Sequence, residues 1–158
     1  MGRDILVDGY NVIKRDPSFQ SLGAKHLAAA RQLLIDQLAN RYRHTPHQVT
    51  VVFDGDGASQ QTVQDRGVRI IYSRAGETAD SVIARLAARA RAEGREVDLY
   101  SDDAEVKQSV ARQGGSVSTT GQLTKHLNAA PSDLARLSRH RQQARRQYGL
   151  DPAQKYDE

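Results

Sequence analysis

Cysteine is absent from the 158 residues, which excludes disulfide scaffolds, zinc–thiolate centres and cysteine nucleophiles. No stretch approaches the roughly 18 consecutive apolar residues of a membrane span. Aromatic residues are few (six Tyr, two Phe, no Trp), and that scarcity argues against a base-stacking platform as the main mode of nucleic-acid binding. The N-terminus also lacks a positively charged leader. Met1-Gly2-Arg3-Asp4 puts an acid there and runs straight into Ile5-Leu6-Val7. No export segment is expected, and the expected location is cytoplasmic.

The length suits one compact domain that buries roughly two-thirds of its unfolded surface. Lysine and arginine together number 23 against 19 acids, a net charge of +4, and 18 of the 23 cations are Arg. The planar guanidinium fork matches phosphate, so this bias is compatible with a nucleic-acid partner, although a coding preference for Arg explains it equally well.

Ile5-Leu6-Val7, Val49 to Phe53, Val68 to Tyr72 and Val97 to Tyr100 are short apolar runs bounded by turn residues, the pattern of buried strands. A fifth, shorter strand is expected at Ser116-Val117-Ser118 after Gly114-Gly115. Helical spacing of Leu27, Ala30, Leu34 and Leu38 predicts a helix over about 25–43. Thr78 is placed to cap a second helix that Gly94 stops, and a third runs from Asp103 to about Gln113. Gln122 to Leu127 reads as a helical turn or two, and Ala58 to Arg66 as a polar loop. Alternating strands and helices imply an α/β fold with a mostly parallel sheet and helices on both faces. After Pro131 a helix with little apolar content carries Arg136, Arg139, Arg141, Arg145 and Arg146. The expected organisation is therefore a domain over 1–130 and a basic helix and tail over 131–158.

The positions of the acids carry the functional signal. Asp8 ends the first strand, Asp54 the second and Asp102 the fourth, and Asp80 lies in the first turn of the helix after the third. Parallel sheets bind ligands beyond the carboxyl ends of their strands, near the topological switch point. Turn and cap chemistry explains any one of these acids; four at one edge favour a site. Clustered carboxylates raise one another's pKa unless a cation neutralises them. An all-oxygen donor set selects a hard ion such as Mg²⁺ or Mn²⁺, which suits metal-assisted phosphodiester chemistry.

Ile5-Leu6-Val7-Asp8-Gly9-Tyr10-Asn11 resembles the opening motif of NYN domains, a branch of the PIN-like nucleases, and in particular of the bacterial YacP-like group. Val51-Val52-Phe53-Asp54, Glu77-Thr78-Ala79-Asp80 and Ser101-Asp102 with Glu105 follow in the family's order. The resemblance spans about residues 4–127 and implies a three-layer PIN-like fold. It implies a metal-dependent endoribonuclease that cuts single-stranded RNA to leave a 3′-hydroxyl and a 5′-phosphate. It carries metal-binding roles onto Asp8, Asp80 and Asp102, adds Asp54 as a further acid, and makes Asn11 a polar neighbour for a water or phosphate. Ser81 stands where the family often has another acid, which puts a second metal in question. Glu77 is a lesser candidate to compensate.

The Asp54-Gly55-Asp56 segment lacks the first-strand setting of a dehalogenase-type phosphatase. The five His residues form no arrangement with Ser and Asp and read as surface residues. Arg66, Arg69 and Arg74 around the third strand, with the five arginines after Pro131, are the expected RNA contacts. Single-stranded RNA is the expected partner, free or presented by a ribosome or another ribonucleoprotein, and a membrane is not. The alternative reading is an RNA- or ribosome-associated binding protein with a weak or inactive PIN-like site.

Overall fold

The computed structural model describes residues 2–17, 19 and 26–128. In chain order the elements are β1 (Asp4–Asp8), α1 (Gly9–Arg15), α2 (Leu27–Tyr42), β2 (Gln48–Phe53), β3 (Gln61–Asp65), β4 (Val68–Tyr72), α3 (Ala79–Ala92), β5 (Val97–Tyr100), α4 (Ala104–Arg112), β6 (Ser116–Ser118) and α5 (Thr120–Asn128). The strands form one sheet in the order β3-β4-β2-β1-β5-β6. All pairings are parallel except β3 with β4.

The alternation of side chains along each strand divides the core. Ile5, Val7, Val49, Val51, Phe53 and Ile70 turn to one face, where Val12, Ile13, Leu34, Leu38 and Leu123 of α1, α2 and α5 cover them. Leu6, Val52, Ile71 and Leu99 turn to the other, against Val82, Ile83, Ala87, Val106 and Val110 of α3 and α4. The result is three layers, with every residue of the central strand β1 buried.

From β1 the chain moves outward to β2 and β4, then crosses back through α3 to place β5 on β1's other side. The direction of winding thus reverses between β1 and β5, whose carboxyl ends are adjacent in register, Val7 opposite Tyr100. That is where a sheet of this kind opens a crevice.

Two local readings change. Ala58 to Arg66 is not all loop, because Gln61–Asp65 pairs antiparallel with β4. Four of its five residues are exposed, so an edge strand wet on both faces gives no alternating apolar signal. Asp8-Gly9 is not a turn: α1 begins at Gly9 directly after β1. The helical turn or two expected at Gln122 to Leu127 is present within the nine-residue α5. The long helix predicted over about 25–43 runs from Leu27 to Tyr42. The basic helix expected over 132–147 lies outside the described residues.

The loop after β2 is held by backbone proximity. A Cβ on Gly55 would fall 2.3 Å from the Ser73 carbonyl oxygen, and the Gly55 N–H donates to Ser73 Oγ at 3.2 Å. Because the obstructing atom is main chain, no rotamer relieves it. Gly55→Ala is expected to cost about 1–3 kcal/mol, the usual range for overpacking. In urea this should read as a lower unfolding midpoint at unchanged slope; an unchanged midpoint would contradict the close approach.

Candidate active site

Asp8 occupies the N-cap position of α1, where an Asp side chain ordinarily accepts from the helix N–H groups, yet it makes no such bond. Its carboxylate has the same parity as Leu6 and turns toward the α3 and α4 layer. There Ser101 Oγ, fully buried at the end of β5, donates to Asp8 Oδ2 at 2.9 Å. Ser101 Oγ in turn accepts from the Asp103 N–H at 3.0 Å. A single hydroxyl therefore ties the ends of β1 and β5 together at the switch point.

The other acids divide into those held by helix N-termini and one that is not. Asp54 Oδ1 accepts from the Ala79 N–H at 2.7 Å, at the start of α3. Asp103 Oδ1 caps α4 by accepting from Glu105 N at 2.9 Å and Val106 N at 3.3 Å. Asp102 receives the start of α5, with Thr120 N donating to Oδ1 at 3.0 Å and Thr120 Oγ1 to Oδ2 at 2.6 Å. Arg15 Nε lies 4.0 Å from the same Oδ2. Asp80 is in the first turn of α3, whose cap is Thr78, with Thr78 Oγ1 accepting from Ser81 N at 3.1 Å. Positive helix ends offset the negative charge of the first three.

The electrostatic consequences follow this division. Burial pushes the Asp8 carboxyl up to about 6; the Ser101 bond opposes the rise, and the charges of Asp80, Asp103 and Asp54 add to it. Asp80 is also pushed up to about 6, first by desolvation, then by the Asp103 charge and a hydrogen bond from its protonated form to Asp103, then by Asp54 and Glu105. Asp102 moves the other way. Desolvation acts to raise it, but the two Thr120 bonds, Arg15 and Lys107 outweigh that and hold it below the ordinary value. The shared negative field thus centres on Asp8 and Asp80, with Asp103 and Asp54 beside them.

Asn11 Oδ1 accepts from the Asp102 N–H at 2.6 Å, which fastens α1 to the loop after β5. Its NH₂ group takes no part in that bond. Glu77 precedes α3 rather than sharing a turn with Asp80. Its carboxylate takes Arg85 Nη1 at 2.7 Å, and that bond holds its pKa low. Of the three cations around β4, Arg74 alone follows the strand onto the acidic edge, with Nε 4.0 Å from Glu77. Arg66 sits in the β3–β4 turn at the opposite edge, paired with Asp36 and Asp65. Arg69, near the start of β4, donates from Nε to Thr50 Oγ1 at 3.1 Å. The arginines at 136, 139, 141, 145 and 146 lie outside the described residues.

Sequence reasoning missed Ser101 as the partner of Asp8, and Thr120 as the partner of Asp102. It also treated Asp103 as a cap alone, whereas Asp103 both caps α4 and faces Asp80. The seriate Ser101-Asp102-Asp103 was the available signal for the first and third; nothing local to Thr120 marks it. Among the described residues, no three His, Cys, Asp or Glu side chains are grouped so as to hold a metal ion. The donors present at this edge are oxygens, which suit a hard divalent ion. Such an ion needs only one or two protein carboxylates when waters and substrate phosphate complete its shell.

The family described as the YacP-like NYN domain matches residues 5–156, a span that crosses the boundary expected near residue 130. Over 135 residues the chain is 28% identical to the uncharacterized protein YacP of Bacillus subtilis (strain 168), covering 84% of this chain and 79% of that protein. A crystal structure of Rae1 (YacP) from Bacillus subtilis is similar with a TM-score of 0.70 at 26% identity, over 94% of this chain and 84% of that one. A tryptophan-to-leucine mutant of the same protein gives a TM-score of 0.70 at 24% identity, over 93% and 84%. Within the described residues, no helix is long and apolar enough to cross a membrane.

The raised carboxyls have a signed consequence for stability. A carboxyl at about 6 in the folded chain, against an ordinary 3.8, favours folding in its protonated form. That contribution is full below about pH 4 and is lost as pH rises through about 6. Without divalent ions, Asp80→Asn should therefore gain thermal stability over the parent as pH goes from 5 to 7.5. Scanning calorimetry at the two pH values checks this; a constant difference in Tm would contradict the shared negative field.

Proposed function

Because this chain belongs to the YacP-like NYN domain family, whose members are generally nucleases or RNA-related proteins, we propose that it is a metal-dependent endoribonuclease cutting single-stranded RNA. The observation that carries the reading is the pairing at the switch point of Asp8, aimed by Ser101 instead of capping α1, with Asp80, both carboxyls pushed up to about 6. A fold retains mutually repelling acids at a cost, and a bound cation is the direct compensation.

Asp8 and Asp80 would hold Mg²⁺ or Mn²⁺, with Asp54 and Asp102 contributing through lone pairs not taken by Ala79 and Thr120. The ion, when bound, supplies polarisation of the scissile phosphate and a lowered pKa for the attacking water. Ser101 fixes the Asp8 carboxylate at one oxygen and leaves the other free for this role. Asn11 offers its NH₂ to a phosphate oxygen or to water. Arg74 at the acidic edge, and the arginines at 136, 139, 141, 145 and 146, would draw the RNA backbone in without reading its bases. Cleavage on this reading leaves a 3′-hydroxyl and a 5′-phosphate in a cytoplasmic RNA, free or held by a ribosome or another ribonucleoprotein.

A second reading has a specific observation in its favour. Since Ser81 stands where the family often has another acid, a weak or inactive site on an RNA- or ribosome-associated binding protein is the alternative. One assay separates the two. With a 5′-labelled unstructured RNA and Mn²⁺, the parent should cut and chelation should stop it. Asp8→Asn and Asp80→Asn should each slow cutting by more than about a hundredfold, beyond the loss expected from removing a mere supporting partner of a metal ligand. Retention of the RNA with no Mn²⁺-dependent product would favour the binder.

The arginines after Pro131 make a separate expectation. Changing Arg136, Arg139, Arg141, Arg145 and Arg146 to Gln should weaken RNA binding across sequences and flatten the dependence of affinity on salt. An unaltered salt slope in filter binding would remove them from the interface.

A further inference from the structure

Composition counts against base stacking, but three of the eight aromatic residues meet at one place. Tyr10 of α1 and Phe53 at the end of β2 have ring centroids 4.9 Å apart. Phe53 and Tyr72, at the end of β4, stack at 5.6 Å and 28°. Phe53 is fully buried and forms the floor, while Tyr10 and Tyr72 on either side of it are only partly buried. Arg31, reaching across from α2, donates from Nη1 to Tyr10 Oη at 2.9 Å. Its guanidinium carbon lies 5.9 Å from the centroid of the Tyr72 ring.

The position of this group gives it meaning. Tyr10 is two residues beyond Asp8, Phe53 immediately precedes Asp54, and Tyr72 precedes Ser73, which holds the Asp54 loop through Gly55. The aromatic group therefore lies at the same end of the sheet as the acids, on the side covered by α1 and α2, whereas the Asp8 carboxylate turns to the α3 and α4 side. Among the described residues Arg31 is engaged by an aromatic hydroxyl and an aromatic face and by no carboxylate, so its outer N–H donors suit an incoming anion. An acidic pocket by itself repels a phosphodiester chain and cannot tell a paired base from an unpaired one. A partly exposed ring beside a guanidinium supplies both missing elements, because only an unstacked base can lie on the ring.

We infer that Tyr72, Tyr10 and Arg31 form a nucleoside subsite, in which an unpaired base flanking the cleaved phosphate lies on the tyrosine shelf and Arg31 takes a neighbouring phosphate oxygen. The inference rests on the RNA reading above and adds to it the source of the preference for single strands.

The test is a binding cycle in the full-length chain carrying Asp80→Asn, which prevents cutting, with Mg²⁺ present. The ligand is a fluorescein-labelled unstructured RNA and a series of the same RNA with one abasic ribose at each position. On the intact RNA, Tyr72→Leu should bind roughly tenfold to a hundredfold more weakly, the usual loss for one stacked base, and Tyr72→Phe should bind as the parent does. One or two abasic positions should weaken the Tyr72 protein by a similar factor and leave Tyr72→Leu unaffected. Arg31→Gln should weaken binding to every RNA and lower the salt slope by about one. Unchanged affinity in a folded Tyr72→Leu, or abasic losses of equal size with and without the Tyr72 ring, would overturn the subsite while leaving the RNA reading in place. Should Tyr72→Leu fail to fold, the Tyr72→Phe and Arg31→Gln arms decide, and a normal salt slope in Arg31→Gln overturns the phosphate contact. Failure of the Tyr72 protein to bind any RNA would overturn the RNA reading and the subsite with it.

Discussion

Mutual repulsion among carboxylates is the constraint that organises this molecule. In a parallel sheet the carboxyl ends of the strands lie beside the amino ends of the helices that follow. The edge that gathers Asp8, Asp54, Asp102 and Asp103 is also the edge that supplies positive helix ends. Asp54 is held by the first N–H of α3, Asp103 by the start of α4 and Asp102 by the start of α5. Those bonds supply each of the three with a donor from a helix N-terminus, and for Asp102 they help hold the carboxyl below its ordinary value. Asp8 and Asp80 receive less of this compensation, and burial first, then the charge of their neighbours, drives their carboxyls upward. The fold thereby separates acids that stabilise it from acids that strain it.

Most of the architecture was legible in the sequence, for a clear reason. Buried parallel strands have to be continuously apolar, so Ile5-Leu6-Val7 and Val49 to Phe53 announce themselves. The stops are equally plain: Thr78 caps α3 through its hydroxyl, and Gly94 ends the segment with φ +79°. The two elements that went unread lack such marks. β3 is polar because both its faces are wet, and α1 hides behind Asp8-Gly9, a dipeptide that elsewhere makes turns. Gly9 is needed there for another reason, since a Cβ would lie 2.3 Å from the Phe53 ring.

For the site, the positions of the acids along the chain were readable, but the direction each carboxylate takes was not. Asp102 and Asp103 are neighbours, yet one is tied to Thr120 and the other faces Asp80. That choice is made by a hydroxyl eighteen residues further on and by the path of the chain between, neither of which is visible in a short motif. The same holds for Ser101, a small polar residue whose meaning comes from full burial beside Asp8. Aromatic scarcity likewise says nothing about where the few rings meet. A composition averages over the whole chain, whereas Tyr10, Phe53 and Tyr72 come from three separate elements that the sheet brings into contact.

β3 is one of the two edge strands of the sheet, β6 being the other. A hydrogen-bonding margin left bare would be a template on which a second copy could build. β3 runs against its neighbour's direction and presents Gln61, Thr62, Val63 and Gln64 to water. Its chemistry offers an intruding strand little apolar surface to cover, so the rim is poorly suited to edge-to-edge growth. A chain whose strands end in an acidic crevice thus keeps this flank unsuited to polymerisation.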